Sequence, residues 1–145
     1  MEYRLDKRNL FELLSLWNKF LKRQVHLIAC GGTALTLQNI KSSTKDVDFL
    51  IPEESEYKYL IKTIQQLGYQ QTTGSGGQKP GEIYIFDLYL GQRIHTTELL
   101  ESPLKEGNHF WIKTLQYISI GVLNHYDLII SKLFRGSGVD FEDCL

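Results

Sequence analysis

Two hydrophobic periods alternate along the chain, and the switches between them mark its elements. Residues 8–21 place Leu10, Leu13, Leu14, Trp17, Phe20 and Leu21 on one side at helical spacing, which predicts an amphipathic helix. Residues 25–29, VHLIA, read as a short buried strand. Gly31-Gly32 turns the chain, residues 33–39 are short and helix-compatible, and KSSTK reads as a polar loop. Residues 46–51 read as a strand stopped by Pro52, which has no N–H to give a ladder. Residues 53–67 carry Tyr57, Leu60, Ile61, Ile64 and Leu67 on one helical face, with Gly68 as C-cap.

The second half reads as more strand than helix. Residues 72–82, TTGSGGQKPGE, hold four glycines and a proline in eleven positions and predict a mobile loop, either a lid or a loose connection. Residues 83–90, IYIFDLYL, predict a strand. Residues 110–122 predict one or two more, with Gly121 as a bulge or turn. Asn124 is placed to cap a helix over about 125–135, with Asp127 favouring its positive end. The tail from Gly136 has room to start another helix. The order α-β-α-β-α-β-β-α predicts an α/β (α+β) fold, a mixed β-sheet with helices packed on one face, in a single domain over residues 1–145.

Composition narrows the class. A length of 145 residues supports one real core, and a net charge of −1 supplies no global field for nucleic acid. The two cysteines, Cys30 and Cys144, make no spaced framework, so a reduced, cytoplasmic setting is expected. No apolar run reaches the roughly 18 residues of a membrane span. The first residues show no signal-peptide core or cleavage site.

The candidate chemistry sits in VHLIACGGTALTLQNIKSSTKDVDFLI, residues 25–51. Asp46 and Asp48 lie two apart on the expected strand, on one face and roughly 7 Å apart at Cα. Two carboxylates side by side cost energy unless a cation sits between them. The Gly31-Gly32 turn exposes backbone N–H groups at a helix start, which favours an anion nearby. Asp87, mid-strand in IYIFDLYL, has two readings. It is either an acid on an edge strand in water, or a third acid facing Asp46 and Asp48.

These residues resemble the nucleotidyltransferase superfamily with its polymerase-β-like fold. That pattern is an apolar residue, Gly, Gly or Ser, about nine to thirteen residues, then Asp, apolar, Asp or Glu, apolar. Here Cys30, Gly31 and Gly32 are followed by thirteen residues and then by Asp46, Val47, Asp48 and Phe49, with Asp87 on a later strand. The segments GGTAL and STKDVDFLI look most like the AbiEii-type toxin branch and related small bacterial and archaeal nucleotidyltransferases. Asp127-Leu128-Ile129-Ile130-Ser131-Lys132-Leu133, Arg135 and Asp140 match a later helix of that branch. An Arg that often precedes the Thr-Lys-Asp run there is replaced by Ser42 and Ser43.

The resemblance implies that Asp46, Asp48 and Asp87 bind Mg²⁺ or Mn²⁺ and act as the catalytic acids, with a nucleoside triphosphate (NTP) as substrate. It implies nucleotide contacts from Gly31, Gly32, Thr33 and Lys132, Thr33 either capping the helix or donating to a phosphate. The acceptor is then a hydroxyl on RNA, protein or a small molecule, and a cognate toxin or antitoxin is an expected partner. The competing reading is a non-catalytic binding module of the same fold. Lys132 is also readable as a solvated helix residue, Arg135 as a surface or helix-end charge, and Asp140 and Asp143 as capping or solvated acids. His26, His95, His109 and His125 show no ligand spacing, and Tyr57, Tyr59, Phe110 and Trp111 read as core or partly exposed packing residues.

Overall fold

The computed structural model describes residues 4–71, 76–79, 86–94, 97–99 and 101–129. Helix α1 spans Lys7–Asn18. Asp6 caps it by accepting from Asn9 N, and the Asn9 side chain accepts from Asp6 N, so two end donors are satisfied reciprocally. Leu10, Leu13, Leu14 and Trp17 are buried as the periodicity requires. Phe20 departs from that expectation. It lies past the helix end and is 51% exposed.

Strand β1, Val25–Ala29, leads into helix α2, Gly31–Leu37, and strand β2, Val47–Ile51. Helix α3, Glu54–Gln66, follows Pro52, and Gly68 at φ +101° ends it in the left-handed region. Then come β3 (Gln70–Gln71), β4 (Gly76–Gln78), β5 (Phe86–Leu90), β6 (Arg93–Ile94), β7 (Thr97–Glu98), β8 (His109–Thr114) and β9 (Ile118–Leu123). Among the described residues seven strands make one mixed sheet in the order β3-β4-β5-β2-β1-β9-β8, while β6 and β7 pair separately. β1 runs parallel to β9 and β2 parallel to β5; the remaining pairs are antiparallel. The central strands β1 and β2 are buried almost throughout, which explains why they are apolar apart from His26 and Asp48.

Helix α1 packs on the sheet face that carries Phe86. Trp17 meets Phe86 and Tyr69 edge-on, with ring centroids 5.2 and 5.7 Å apart. The stretch expected as a loop contributes to this cluster. Residues 76–78 form β4, and a Cβ on Gly77 would stand 2.6 Å from the Phe86 ring. Glycine is therefore present because backbone and ring touch, rather than for mobility.

Gly121 is not a turn, and it borders a bulge. It sits mid-strand in β9 opposite Trp111, and the register shift lies in β8 between Trp111 and Lys113. A Cβ there would come within 3.0 Å of the Trp111 ring and 3.2 Å of Ile28 Cδ1. After β9, Asn124 accepts from Asp127 N at 2.8 Å and its amide donates to Asp127 Oδ2 at 3.0 Å, starting a helical segment at His125. The rest of that expected helix and the tail lie outside the described residues. Among the described residues no helix is long and apolar enough to cross a membrane.

Candidate active site

The register of β2 against β5 decides the site. Asp48 is the direct partner of Asp87, and Val47 of Phe86. Register partners on adjacent strands share a face, and neighbouring strands lie about 4.8 Å apart. The two carboxylates therefore stand side by side. They are on the face opposite Phe86, hence opposite α1. Asp87 is not on an edge strand, because β5 runs between β4 and β2. Asp48 is buried at 7% exposure and Asp87 is half-buried.

The glycine turn closes on this pair. Gly31 has φ +57°, and a Cβ there would stand 3.0 Å from Asp48 Oδ2. Both the left-handed backbone and the close approach require glycine. A Cβ on Gly32 would meet Thr44 Oγ1 at 2.8 Å and the Lys41 ammonium at 3.8 Å. Cys30 N donates to Asp48 O at 3.1 Å, which ties the turn to the acid's own backbone. The result is a bare-backbone turn against a buried carboxylate, with a second carboxylate beside it and a lysine within reach.

No family model matches this sequence, and neither does any curated protein. Among solved structures, the chain is similar to the crystal structure of a provisionally assigned nucleotidyltransferase from Thermotoga maritima. The two superpose with a TM-score of 0.58 at 15% sequence identity, over 97% of this chain and 92% of that one. The chain has a nucleotidyltransferase-like fold. At that identity the likeness concerns the path of the backbone.

Within this fold, Asp46 lies just before β2 and Asp48 within it. The strand expected from residue 46 begins one residue later, so Asp46 precedes the ladder and its residue is exposed. Among the described residues no three His, Cys, Asp or Glu side chains are grouped so that they can hold a metal ion. What is fixed at Asp46 is its carbonyl, which accepts from the hydroxyls of Thr33 at 3.0 Å and Thr44 at 2.9 Å.

Thr33 differs from expectation for the same reason. It makes no side-chain cap on α2, whose N-cap is Cys30. Its hydroxyl proton goes to Asp46 O, and its oxygen accepts from Asp48 N at 2.9 Å. A fully buried hydroxyl whose one proton is already committed cannot also donate to a phosphate. Thr33 instead clamps the first turn of α2 to the start of β2 and sets the height of Asp48.

Lys132, Arg135, Asp140 and Asp143 lie outside the described residues. Three of the histidines have structural partners. His26 meets Glu56 at 3.0 Å, His109 meets Pro103 O at 2.8 Å, and His125 meets Gln38 at 3.2 Å. Phe110 and Trp111 are 55% and 46% exposed on β8, within the expected range of core to partly exposed packing.

Two cations near the site escaped the sequence reading. Lys41 stands beside Gly32, and its only local signal is its place at the head of the KSSTK loop. Arg4 reaches the same loop from the other end of the chain segment. Its Nε donates to Ser43 Oγ at 2.7 Å and its Nη2 to Ser43 O at 2.9 Å. An isolated antiparallel bridge between Leu5 and Thr44 delivers it there. A contact across 39 positions leaves no mark in local spacing.

Proposed function

We propose that this chain is a metal-dependent nucleotidyltransferase that moves a nucleoside monophosphate from an NTP to a hydroxyl on RNA, protein or a small molecule. The observation that carries this reading is the pairing of Asp48 with Asp87 on one face, against the bare backbone of Gly31. Their hard oxygen donors suit Mg²⁺ or Mn²⁺, and repulsion between adjacent carboxylates favours a cation there. Asp48 and Asp87 would hold the ion, with Asp46 as a third ligand once its exposed side chain turns inward. A divalent ion so held supplies charge neutralisation to the phosphate oxygens in an in-line displacement.

In that displacement the acceptor hydroxyl oxygen bonds to the α-phosphorus, and the bond to the bridging pyrophosphate oxygen breaks. The hydroxyl proton passes to Asp87, and pyrophosphate leaves with the electron pair. Gly31 and Gly32 admit the triphosphate close to the backbone. Lys41 offers a point positive charge beside that turn, and Lys132 is assigned a similar role by the family resemblance. A cognate toxin or antitoxin belongs to the same proposal.

The test is incubation with each α-labelled NTP, Mg²⁺ or Mn²⁺, and a panel of RNAs and proteins. Label should move to an acceptor in wild type and not in Asp87→Asn. A second reading, a non-catalytic binding module, is favoured by one observation: Asp46 lies outside the ladder that joins the other two acids. Metal-dependent nucleotide binding without transfer to any acceptor selects that reading.

A further inference from the structure

The face opposite the acidic pair carries a groove of a different character. It runs along α1 with a volume of about 740 Å³, and β8 contributes to its wall. Lys7, Arg8, Lys19 and Lys113 line it over a floor of Phe11 and Leu16. Among its described lining residues Glu12 is the one acid, and it is 3.5 Å from Arg8. The charge is concentrated. Residues 4–23 hold six Lys or Arg against two Asp or Glu, in a chain whose net charge is −1.

We infer that this groove binds the phosphate backbone of a single-stranded nucleic acid. Lys7 and Lys19 are twelve residues apart, about 18 Å along a helix, far enough to meet separate phosphates of one strand. Lys113 faces them from the sheet, with its ammonium 5.0 Å from the centre of the Phe11 ring. Cations along a channel with an aromatic in its floor match how single strands are held without base readout. An acidic amphipathic helix fits less well. Such a helix needs a row of apolar anchors at i, i+3, i+4 and i+7, and the floor offers two side chains. The inference stands apart from the proposed chemistry, since the groove and the Asp48–Asp87 pair lie on opposite faces.

The experiment is fluorescence anisotropy of the full chain with a labelled twelve-nucleotide oligo-U, at several salt concentrations. The comparison is a triple variant, Lys7→Glu with Lys19→Glu and Lys113→Glu. A control reverses Lys58, Lys62 and Lys105 to Glu, matching the change in net charge away from the groove. Affinity should fall at least ten-fold in the groove variant and change little beyond the non-specific charge effect in the control. The slope of log K against log salt should shrink by about 2. If the groove variant does not fold, Lys7→Gln with Lys19→Gln reads the same effect at smaller size. Equal losses in groove and control variants overturn the inference. So does tighter groove-dependent binding of a polyglutamate peptide or of phosphatidylserine vesicles than of oligo-U.

Discussion

Asp48 and Asp87 are register partners on adjacent parallel strands, and Gly31 lies against the first of them. This one relationship gathers three sequence features from 57 positions of chain onto one face of the sheet. It also orders the expected consequences of substitution, because each neighbour of the pair acts on it through a different contact.

Asp87→Asn keeps size and hydrogen-bonding ability but removes the charge and the proton acceptor. Transfer should fall on the order of a hundred-fold or more, about 2.7 kcal/mol of barrier, with nucleotide affinity changed little. Single-turnover rates alongside equilibrium binding check this. Equal transfer by wild type and variant removes Asp87 from the chemistry.

Gly31→Ala is expected to be costly in two ways. An L-residue at φ +57° loses about 1–2 kcal/mol, and the new methyl group presses on Asp48 Oδ2 at 3.0 Å. Urea denaturation should show the loss of stability, and metal-linked thermal shifts should weaken because the carboxylate is displaced. A variant with wild-type stability and metal response contradicts the close approach.

Thr33→Val retains shape and removes the hydroxyl that joins Asp46 O to Asp48 N. A buried amide is then left without its acceptor, at a cost of about 1–3 kcal/mol. Thr33→Ser should recover most of that loss, since it restores the hydroxyl. If serine and valine are equally destabilising, the clamp is a packing effect and not a hydrogen bond.

Gly77→Ala tests whether residues 76–78 are strand or loop. A methyl group 2.6 Å from Phe86 must displace the ring from its edge contacts with Trp17 and Tyr69. Tryptophan fluorescence should shift and the melting temperature should drop. A silent substitution at Gly77 means that β4 does not lie against Phe86.

Asp127 gives a pH signature. Burial holds its carboxyl above the ordinary aspartate range, the Asn124 hydrogen bond partly offsets this, and Glu101 adds to the rise. A raised folded-state value means the native protein binds this proton more tightly than the unfolded chain. Its contribution therefore favours folding below the unfolded value near 3.9, declines as pH rises through the folded value, and is unfavourable above it. Asp127→Asn retains an oxygen for the Asn124 amide and removes the charge. It should match or exceed wild type in stability at pH 7 and lose that advantage toward pH 3.5. A stability difference that does not vary with pH rejects the buried charge as its origin.

The chain's local patterns were sufficient for the elements of its first half, α1 to α3. Helical spacing of Leu10, Leu13, Leu14 and Trp17 places α1, and the apolar runs ending at Ala29 and Ile51 place β1 and β2, within a residue or two. These are nearest-neighbour properties, set by backbone period and side-chain burial. Gly31-Gly32 and the Asp-Val-Asp run were legible for the same reason, as were Asn124 and Asp127, whose cap spans three residues.

Pairing between distant strands obeys no local rule, and there the tertiary structure decided. Alternation along IYIFDLYL says which residues share a face with Asp87 and nothing about which strand stands beside it. The parallel register of β2 and β5 put Asp48 there, and starting β2 at Val47 kept Asp46 out of the ladder. Gly77 and Gly121 read as loop and turn in sequence because glycine marks both flexibility and close approach. Only the rings of Phe86 and Trp111 above them distinguish the two. Arg4 beside Ser43 and the twofold use of the Thr33 hydroxyl are likewise contacts between segments. Their energy depends on distances that a one-dimensional pattern does not contain.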